Sequence, residues 1–185
     1  DISHIQGSGT GHVARDLGHY NIHASNPWLE AAYGKYYVGI NRANIILNNK
    51  DKVVVENTER DRKLYNNLIA ETKAARAMAY FDLIRLFGDV TYKENYMNYN
   101  RDSREVIYDH IVEDLESAAK DLFWYDEVPG GYKGRFSKSA AYALLVRVNM
   151  FRAGWSLQQN GEMKRSPQYL EFYKKALHYA NLLIN

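Results

Sequence analysis

Residues with helical spacing dominate the chain from Asn26 onward. Asn26-Pro27 combines a residue type that caps helices with proline, which favours the first helical position. This pair predicts a helix over residues 28–48. Small or apolar residues recur along that segment at spacings of three and four, which predicts one buried face. They are Ala32, Tyr36, Ile40 (or Gly39), Ala43 and Leu47.

A second, longer stripe follows. Thr58 is a candidate N-cap, and Gly88 is suited to end the helix because glycine tolerates the backbone conformation found there. Between them, apolar or small residues recur with helical spacing over about six turns. We expect these residues to be buried: Leu64, Leu68, Thr72, Ala75, Ala79, Leu83 and Leu86.

Three further helices are predicted toward the end of the chain. Asp102 is expected to cap one of them, with Glu105 reaching back as in a capping box. Ser137 should cap a helix that runs to about Gly154, and Ser166-Pro167 should open the last one. The apolar positions of the helix after Asp102 are Ile107, Ile111, Leu115, Ala118 and Leu122.

Strand signals are weak throughout. Val53–Val55 is the one run of β-branched residues, and it is too short to build a sheet. The predicted fold class is therefore all-α.

The helices also suggest an internal repeat. Ala75 and Gly88 correspond to Ala141 and Gly154 at an offset of 66 residues. Three positions of the next helix recur at an offset of 65, pairing Ile111, Leu115 and Ala118 with Ala176, Ala180 and Leu183. The spacing resembles the second helix of a tetratricopeptide (TPR) unit, whose period is about 34 residues, so the pairs would carry long inserted loops. The alternative is a coincidence among helical alanines.

Composition excludes several functional classes. The 185 residues carry a net charge of +2 and contain no cysteine, which argues against nucleic-acid binding, disulfides and thiolate chemistry. No apolar run approaches the length of a membrane span. Residues 1–25 lack periodicity and form a predicted loop-rich lead-in to a helical domain over 26–185. His19 and His23 have a spacing compatible with a metal site only in a helix, which Gly18 and Asn21 disfavour, so we expect neither a metal nor a cofactor.

Catalytic patterns are also missing. Glycoside hydrolysis needs two carboxyl groups that face each other across the sugar. The candidate pairs, Asp126 with Glu127 and Glu113 with Asp114, are adjacent in sequence and do not face each other in that way. The chain has no phosphate-binding loop, dinucleotide fingerprint or nucleophile elbow. We therefore expect no enzymatic activity.

Four segments, in order, resemble the SusD/RagB family of outer-membrane nutrient-binding lipoproteins. The most specific is AETKAARAMAYFDLIRLFGDV at residues 70–90, which resembles the family's signature helix. GINRAN at 39–44 resembles its first long helix, and GRFSK at 134–138 resembles a later helix start. The fourth segment combines Ala176-Leu177 with Ala180-Asn181. One departure is Thr91, where the family usually has proline.

The resemblance implies a TPR-like, all-helical fold with long inserted loops. It also implies binding of an oligosaccharide nutrient at the cell surface and its delivery to a SusC-like TonB-dependent transporter. Members are longer chains, so we expect this sequence to be an N-terminal portion. The lipid anchor that would attach the protein to the outer membrane of a Bacteroidetes-type bacterium, facing the exterior, would then lie outside it.

Aromatic residues in predicted loops are the candidate ligand contacts. The chain has 16 tyrosines, three tryptophans and six phenylalanines, and flat rings can cover the apolar faces of sugars. Our candidates are Trp124, Tyr125 and Tyr132 in one turn-rich segment, and Tyr20 and Trp28 around the start of the first helix. Tyr92, Tyr96 and Tyr99 form a second loop group. The alternative for each ring is that it packs a loop onto the helices.

Two functions remain open at this point. The chain could belong to a glycan-binding protein, or it could be a TPR-like protein–protein interaction scaffold without direct glycan binding. The resemblance allows both at once.

Overall fold

The computed structural model describes residues 13–18, 22–55, 58–93, 100–128, 134–158 and 160–184. Its helices are α1 (Val13–Gly18), α2 (Pro27–Asn48), α3 (Glu59–Phe87), α4 (Arg104–Asp121), α5 (Lys138–Ala153) and α6 (Tyr169–Ile184), with a 3-10 turn at Lys50–Lys52. Two short strands, β1 (Trp155–Leu157) and β2 (Met163–Arg165), form a hairpin between α5 and α6. The all-α fold class is confirmed. Among the residues that the structure describes, no helix is both long enough and apolar enough to span a membrane.

The chain divides into two compact units, residues 1–38 and 39–185. In the first unit, Asn26 caps α2 as predicted, because its Oδ1 accepts a hydrogen bond of 3.0 Å from the Trp28 backbone N–H. The Asn26 Nδ2 group also donates to the Val13 carbonyl oxygen at 3.2 Å. Helix α1 is a difference from the sequence prediction, which treats residues 1–25 as loop-rich. The proposed division into a lead-in of 1–25 and a domain of 26–185 stays a prediction.

Helix α3 begins and ends where the sequence predicts. The Thr58 side chain accepts a hydrogen bond of 3.1 Å from the Asp61 N–H, and the Gly88 N–H donates to the Ile84 carbonyl oxygen at 3.1 Å. Gly88 adopts a φ of 72°, which favours glycine. A Cβ there would also lie 3.1 Å from Nη2 of Arg104. Both reasons fix the helix end at this residue.

The predicted buried face of α3 is wrong by about one residue along most of the helix. Ala75 is exposed, Ala79 is half-buried, and Leu68 and Leu86 are also exposed. The residues that α3 buries are Asn67, Ala70, Ala74, Ala77, Tyr80, Phe81, Leu83 and Ile84. Ala75 instead lines an open groove of about 820 Å³. The alanine-rich segment has small residues on several faces, so spacing alone did not select the buried one.

Helix α4 confirms its predicted stripe but not its predicted cap. All five apolar positions, Ile107, Ile111, Leu115, Ala118 and Leu122, are buried. The cap is Ser103, whose Oγ accepts from the Val106 N–H at 3.5 Å. The Asp102 carboxylate accepts from the Tyr92 N–H at 2.8 Å instead, and it thereby fastens the segment after α3 to the start of α4.

Helix α5 is capped by Ser137 as predicted, with a hydrogen bond of 3.2 Å from the Ala140 N–H. Helix α6 begins at Tyr169, later than the predicted opening at Ser166-Pro167. The β1–β2 hairpin was missed because its strands are three residues long and contain polar side chains. Gly161, with a φ of 81°, lies in its turn.

Two helix pairs form the body of the second unit. Helix α3 packs along α4, α5 packs along α6, and α4 contacts α5 between the pairs. Ile111 and Ala176 are both buried, as the repeat requires. The proposed equivalence of Ala75 with Ala141 is wrong, because Ala141 is buried and Ala75 is exposed. The TPR-like arrangement of pairs is confirmed.

Candidate functional site

The connection from α4 to α5 is fastened to α3 by Asn67. Asn67 is nearly fully buried, and its Oδ1 accepts a hydrogen bond of 3.0 Å from the Phe123 backbone N–H. Its Nδ2 group donates to Oε1 of Glu71 at 2.6 Å. One amide side chain therefore satisfies the backbone just after α4 and orients the carboxylate of Glu71.

The far end of the same connection is held by an ion pair. Oε2 of Glu71 accepts from Nε and Nη2 of Arg135 at 3.0 and 2.9 Å. The Lys138 N–H donates to the Phe123 carbonyl oxygen at 2.7 Å. The connection is therefore tied to α3 at Phe123 and at Arg135, and Phe123 is tied to the first residue of α5.

Trp124 lies on this connection and is half-buried. Its ring is tilted by 47° against the ring of Tyr142, with 6.0 Å between the centroids, and Nζ of Lys138 lies 5.6 Å from the Trp124 ring centroid. The Trp124 N–H donates to Oε2 of Glu127 at 3.1 Å, and the Glu127 N–H donates to the Trp124 carbonyl oxygen at 3.0 Å. The Trp124 ring is therefore held against the helices while part of its surface stays open.

An aromatic row continues from Trp124 across two helices. Tyr142 of α5 stacks on Tyr179 of α6 with 6.4 Å between ring centroids and an interplanar angle of 20°. The Tyr179 hydroxyl donates to Oε1 of Glu116. Burial, followed by the neighbouring Glu116, raises the pKa of Tyr179 above its ordinary value. Sequence reasoning missed Tyr142 and Tyr179 because they lie on helices far apart in the chain.

The other candidate rings differ in exposure, and some lie outside the described residues. Tyr125 follows Trp124 and is 51% exposed, while Trp28 in the first unit is 57% exposed. Tyr132 and Tyr20 lie outside the described residues, as do Tyr96 and Tyr99. Tyr92 is buried and stacks on His110 with 3.8 Å between centroids, so it is a packing residue.

The carboxylate pairs do not form a hydrolytic arrangement. Asp126 and Glu127 are both exposed on one turn, and Glu127 is engaged with the Trp124 backbone. Asp114 is buried and paired with Arg76, whereas Glu113 is exposed. Across the described ranges, no group of three histidine or acidic side chains could hold a metal ion. His19 lies outside those ranges, and His23 is exposed.

Comparison with known proteins decides the family. The model of a SusD-like family, described as starch-binding and associating with the outer membrane, matches residues 11–150. The chain belongs to the SusD-like family. The resemblance seen in the sequence is thereby confirmed.

Individual SusD-like relatives agree with this assignment. A SusD-like protein of Bacteroides ovatus is 26% identical over 161 residues, which cover 81% of this chain and 28% of the relative. The crystal structure of a SusD homologue from Bacteroides thetaiotaomicron superposes with a TM-score of 0.78 at 26% identity, covering 97% of this chain and 33% of that one. A structure solved with a xylogluco-oligosaccharide has a TM-score of 0.68 at 26% identity, covering 90% and 31%.

The SusD-like chain thus spans about a third of the length of the relatives it matches.

Proposed function

We propose that the protein binds an oligosaccharide nutrient at the outer surface of the cell and does not break it down. The family description names starch binding, and one of the similar structures was solved with a xylogluco-oligosaccharide. Binding of carbohydrate by this chain's protein rests on that kinship together with the aromatic surface around Trp124.

The observation that carries the proposal is the half-open Trp124 ring beside the exposed Tyr125. A sugar ring has an apolar C–H face that an aromatic ring can cover, and a rim of hydroxyls that needs hydrogen-bonding groups. Asp126 on the same connection and the ammonium of Lys138, the first residue of α5, supply such groups. The Trp124 ring contacts Tyr142 and Lys138 before any ligand binds, so it loses little freedom on binding, which favours affinity.

Tyr132, Tyr20 and Trp28 remain proposed ligand contacts from the sequence. Trp28 has the exposure that a ligand contact requires. We propose Trp124 and Tyr125 as the leading pair because their surroundings contain charged and polar groups as well as a second ring.

The absence of catalysis is part of the proposal. Asp126 and Glu127, which follow Trp124 in the chain, lie side by side on one turn, whereas glycosidic cleavage requires a pair that brackets the bond. Glu127 is also committed to a backbone N–H. We propose no cofactor and no metal.

Delivery to a SusC-like TonB-dependent transporter, and attachment to the outer membrane by a lipid anchor, are proposed from the family's association with the outer membrane. A role as a TPR-like interaction scaffold is the second candidate. One observation favours it: α6 exposes Leu170, Leu177 and Ile184, which recur every seven residues along one side of the helix. Such a stripe is available to another polypeptide.

A glycan array on the whole protein, followed by calorimetry on each ligand that binds, tests the first candidate. We expect binding of at least one neutral oligosaccharide, weakened by Trp124→Ala, with no release of reducing ends. Absence of binding to every glycan, combined with co-purification of a transporter from outer membranes, would favour the scaffold. Steady release of reducing ends would contradict the non-catalytic role.

A further inference from the structure

A second cleft lies apart from Trp124, at the end of α3. It has a volume of about 610 Å³ and is lined by the Gly88-Asp89 turn, the first turns of α4, the end of α5 and strand β1. All of these elements belong to the unit of residues 39–185. The family comparison assigns no role to this cleft.

Two aromatic side chains of the cleft lining are accessible. Trp155 is 65% exposed and Phe151 is 46% exposed. Trp155 pairs in the hairpin with Arg165, and Nε of Arg165 donates to the Ala153 carbonyl oxygen at 2.8 Å. The Arg165 guanidinium also lies 3.5 Å from the centroid of the Tyr169 ring. The hairpin that presents Trp155 is therefore fixed to both neighbouring helices.

The lining also contains arginines. Among the described residues that line the cleft, Arg85, Arg101 and Arg104 are the basic residues and Asp89 is the acidic one. Asp89 is paired with Arg104. The backbone N–H and the side-chain Nε of Arg104 both donate to Oδ1 of Asp89 at 3.1 Å. Arg101 has an exposed side chain and forms no ion pair with a described residue. Because Arg85 is paired with Asp82 and Arg104 with Asp89, Arg101 is the lining arginine, among the described residues, whose charge is left for a ligand.

Arg85 is held in place by two neighbours in or beside the cleft. Its Nη1 donates to Oδ1 of Asp82 at 3.0 Å, and its guanidinium lies 5.0 Å from the centroid of the Phe151 ring. A guanidinium stacked on a ring keeps its in-plane N–H groups directed outward. Phe151 therefore contributes both apolar surface and orientation of a donor.

We propose that this cleft binds an anionic sugar unit, with Trp155 covering the C–H face of the ring and Arg101 binding its negative group. A planar guanidinium matches the geometry of a carboxylate or sulfate, and the charge-assisted hydrogen bonds that form are stronger than those to a hydroxyl. The inference rests on the proposed glycan-binding function. It extends that function by naming acidic saccharides, carrying carboxylate or sulfate groups, as a ligand class recognised at a site separate from Trp124.

The test uses the whole protein and three probes in calorimetry: an oligogalacturonate, a sulfated oligosaccharide and a neutral xylogluco-oligosaccharide. We expect at least one acidic probe to bind, with affinity that falls as salt is raised. Arg101→Gln should weaken that binding by about tenfold, and Trp155→Ala should weaken it as well. Binding of the carboxylated or of the sulfated probe identifies which anion the cleft takes.

Arg60→Gln is the matched control, because Arg60 is an exposed arginine at the start of α3 and does not line the cleft. It should leave the affinity for the acidic probe unchanged. The melting temperature of each variant must match that of the parent protein, which Arg101→Gln should satisfy because the side chain is exposed.

Failure of this inference and failure of the proposed function give different results. If neither acidic probe binds, or if one binds equally well to Arg101→Gln and Trp155→Ala, the cleft assignment is overturned. If the neutral xylogluco-oligosaccharide still binds and this binding depends on Trp124, the proposed function remains supported. If no saccharide binds at all, both proposals are wrong.

Discussion

Arg76 of α3 donates two hydrogen bonds of 2.8 Å to the two carboxylate oxygens of Asp114 in α4. The side chains are only 15% and 12% exposed. Nη1 of Arg76 also donates to Oδ1 of Asn44 at 2.7 Å, and Nδ2 of Asn44 donates to the Lys93 carbonyl oxygen at 2.5 Å. One buried ion pair therefore links α2, α3, α4 and the segment that follows α3.

Removing one partner of this pair should be costly. Asp114→Ala leaves the Arg76 charge buried without its carboxylate, and we expect a loss of about 3–5 kcal/mol in the free energy of unfolding, measured by chemical denaturation. Glu113→Ala is the matched control, since Glu113 is the exposed neighbour on the same helix. Equal losses in the two variants would mean that the pair does not stabilise the packing of α3 on α4.

The packed face of α3 can be tested by two adjacent alanines. Ala74 is fully buried and Ala75 is exposed. Ala74→Leu should overpack the helix interface and cost about 1–3 kcal/mol in the free energy of unfolding. Ala75→Leu should be tolerated because its side chain points into an open groove. If Ala75→Leu lowered the melting temperature more than Ala74→Leu, the buried face predicted from spacing alone would be the correct one.

These alanines also explain what the sequence could and could not predict. In α4 the large apolar residues fall on one face, so Ile107, Ile111 and Leu115 were assigned correctly. In α3 the buried face contains alanines and the polar Asn67, and similar small residues occupy the exposed face. Periodicity has no means of choosing between two such faces, because the choice depends on which side meets α4.

The candidate site shows the same limit. The sequence predicted Trp124 as a loop residue with a ring available to a ligand. The row that it forms with Tyr142 and Tyr179 depends on the packing of α5 against α6, which no local pattern contains. The cleft at Trp155 was missed for a related reason: the hairpin that presents this ring is too short to have a strand signal.

Asn67 provides a third prediction. Its amide accepts a hydrogen bond from the Phe123 N–H and donates one to Glu71. Asn67→Leu should therefore leave the Phe123 N–H without its acceptor and the Glu71 carboxylate without one of its donors. We expect a loss of about 1–3 kcal/mol in the free energy of unfolding and faster proteolysis of the connection between α4 and α5. Asn66→Leu, at the exposed neighbouring position, controls for the change of residue type. Identical proteolysis of both variants would argue against the anchoring role of Asn67.

Tyr108 gives a prediction for alkaline pH. Burial, with a further contribution from Glu105, raises the pKa of Tyr108 from 10.0 to about 12. The folded protein therefore keeps this proton while the unfolded chain releases it, so stability falls as pH rises from about 10 to about 12. One tyrosine with this shift accounts for a fall of about 2–3 kcal/mol across that window.

Tyr108→Phe should accordingly reduce the loss of stability between pH 10 and pH 12, while leaving stability at pH 8 nearly unchanged. Denaturation at fixed pH values measures both quantities. Tyr80 and Tyr179 also have raised pKa values because they are buried, so the variant should retain part of the alkaline loss. Tyr125→Phe removes an exposed hydroxyl and serves as the control. An unchanged alkaline profile in Tyr108→Phe would contradict the assignment.

Trp124 carries the last prediction, because its ring is both packed and open. Trp124→Ala in the whole protein removes the contact with Tyr142 and the ring beneath the Lys138 ammonium. A fully buried tryptophan would cost about 3–5 kcal/mol when cut to alanine, and the half-buried Trp124 should cost clearly less. We expect affinity for a neutral oligosaccharide to fall by about tenfold, since a well-placed interface ring contributes more than about 1 kcal/mol.

Trp124→Phe is the control that separates packing from ligand binding. It keeps a flat ring at the same position, so it should retain most of the affinity and most of the stability. Calorimetry and the melting temperature should be measured on the same preparations of both variants. If Trp124→Ala loses stability as a core residue does and affinity is unchanged, Trp124 is a packing residue, and the neutral glycan must be bound by other rings, with Trp28 the next to test because it is exposed in the first unit.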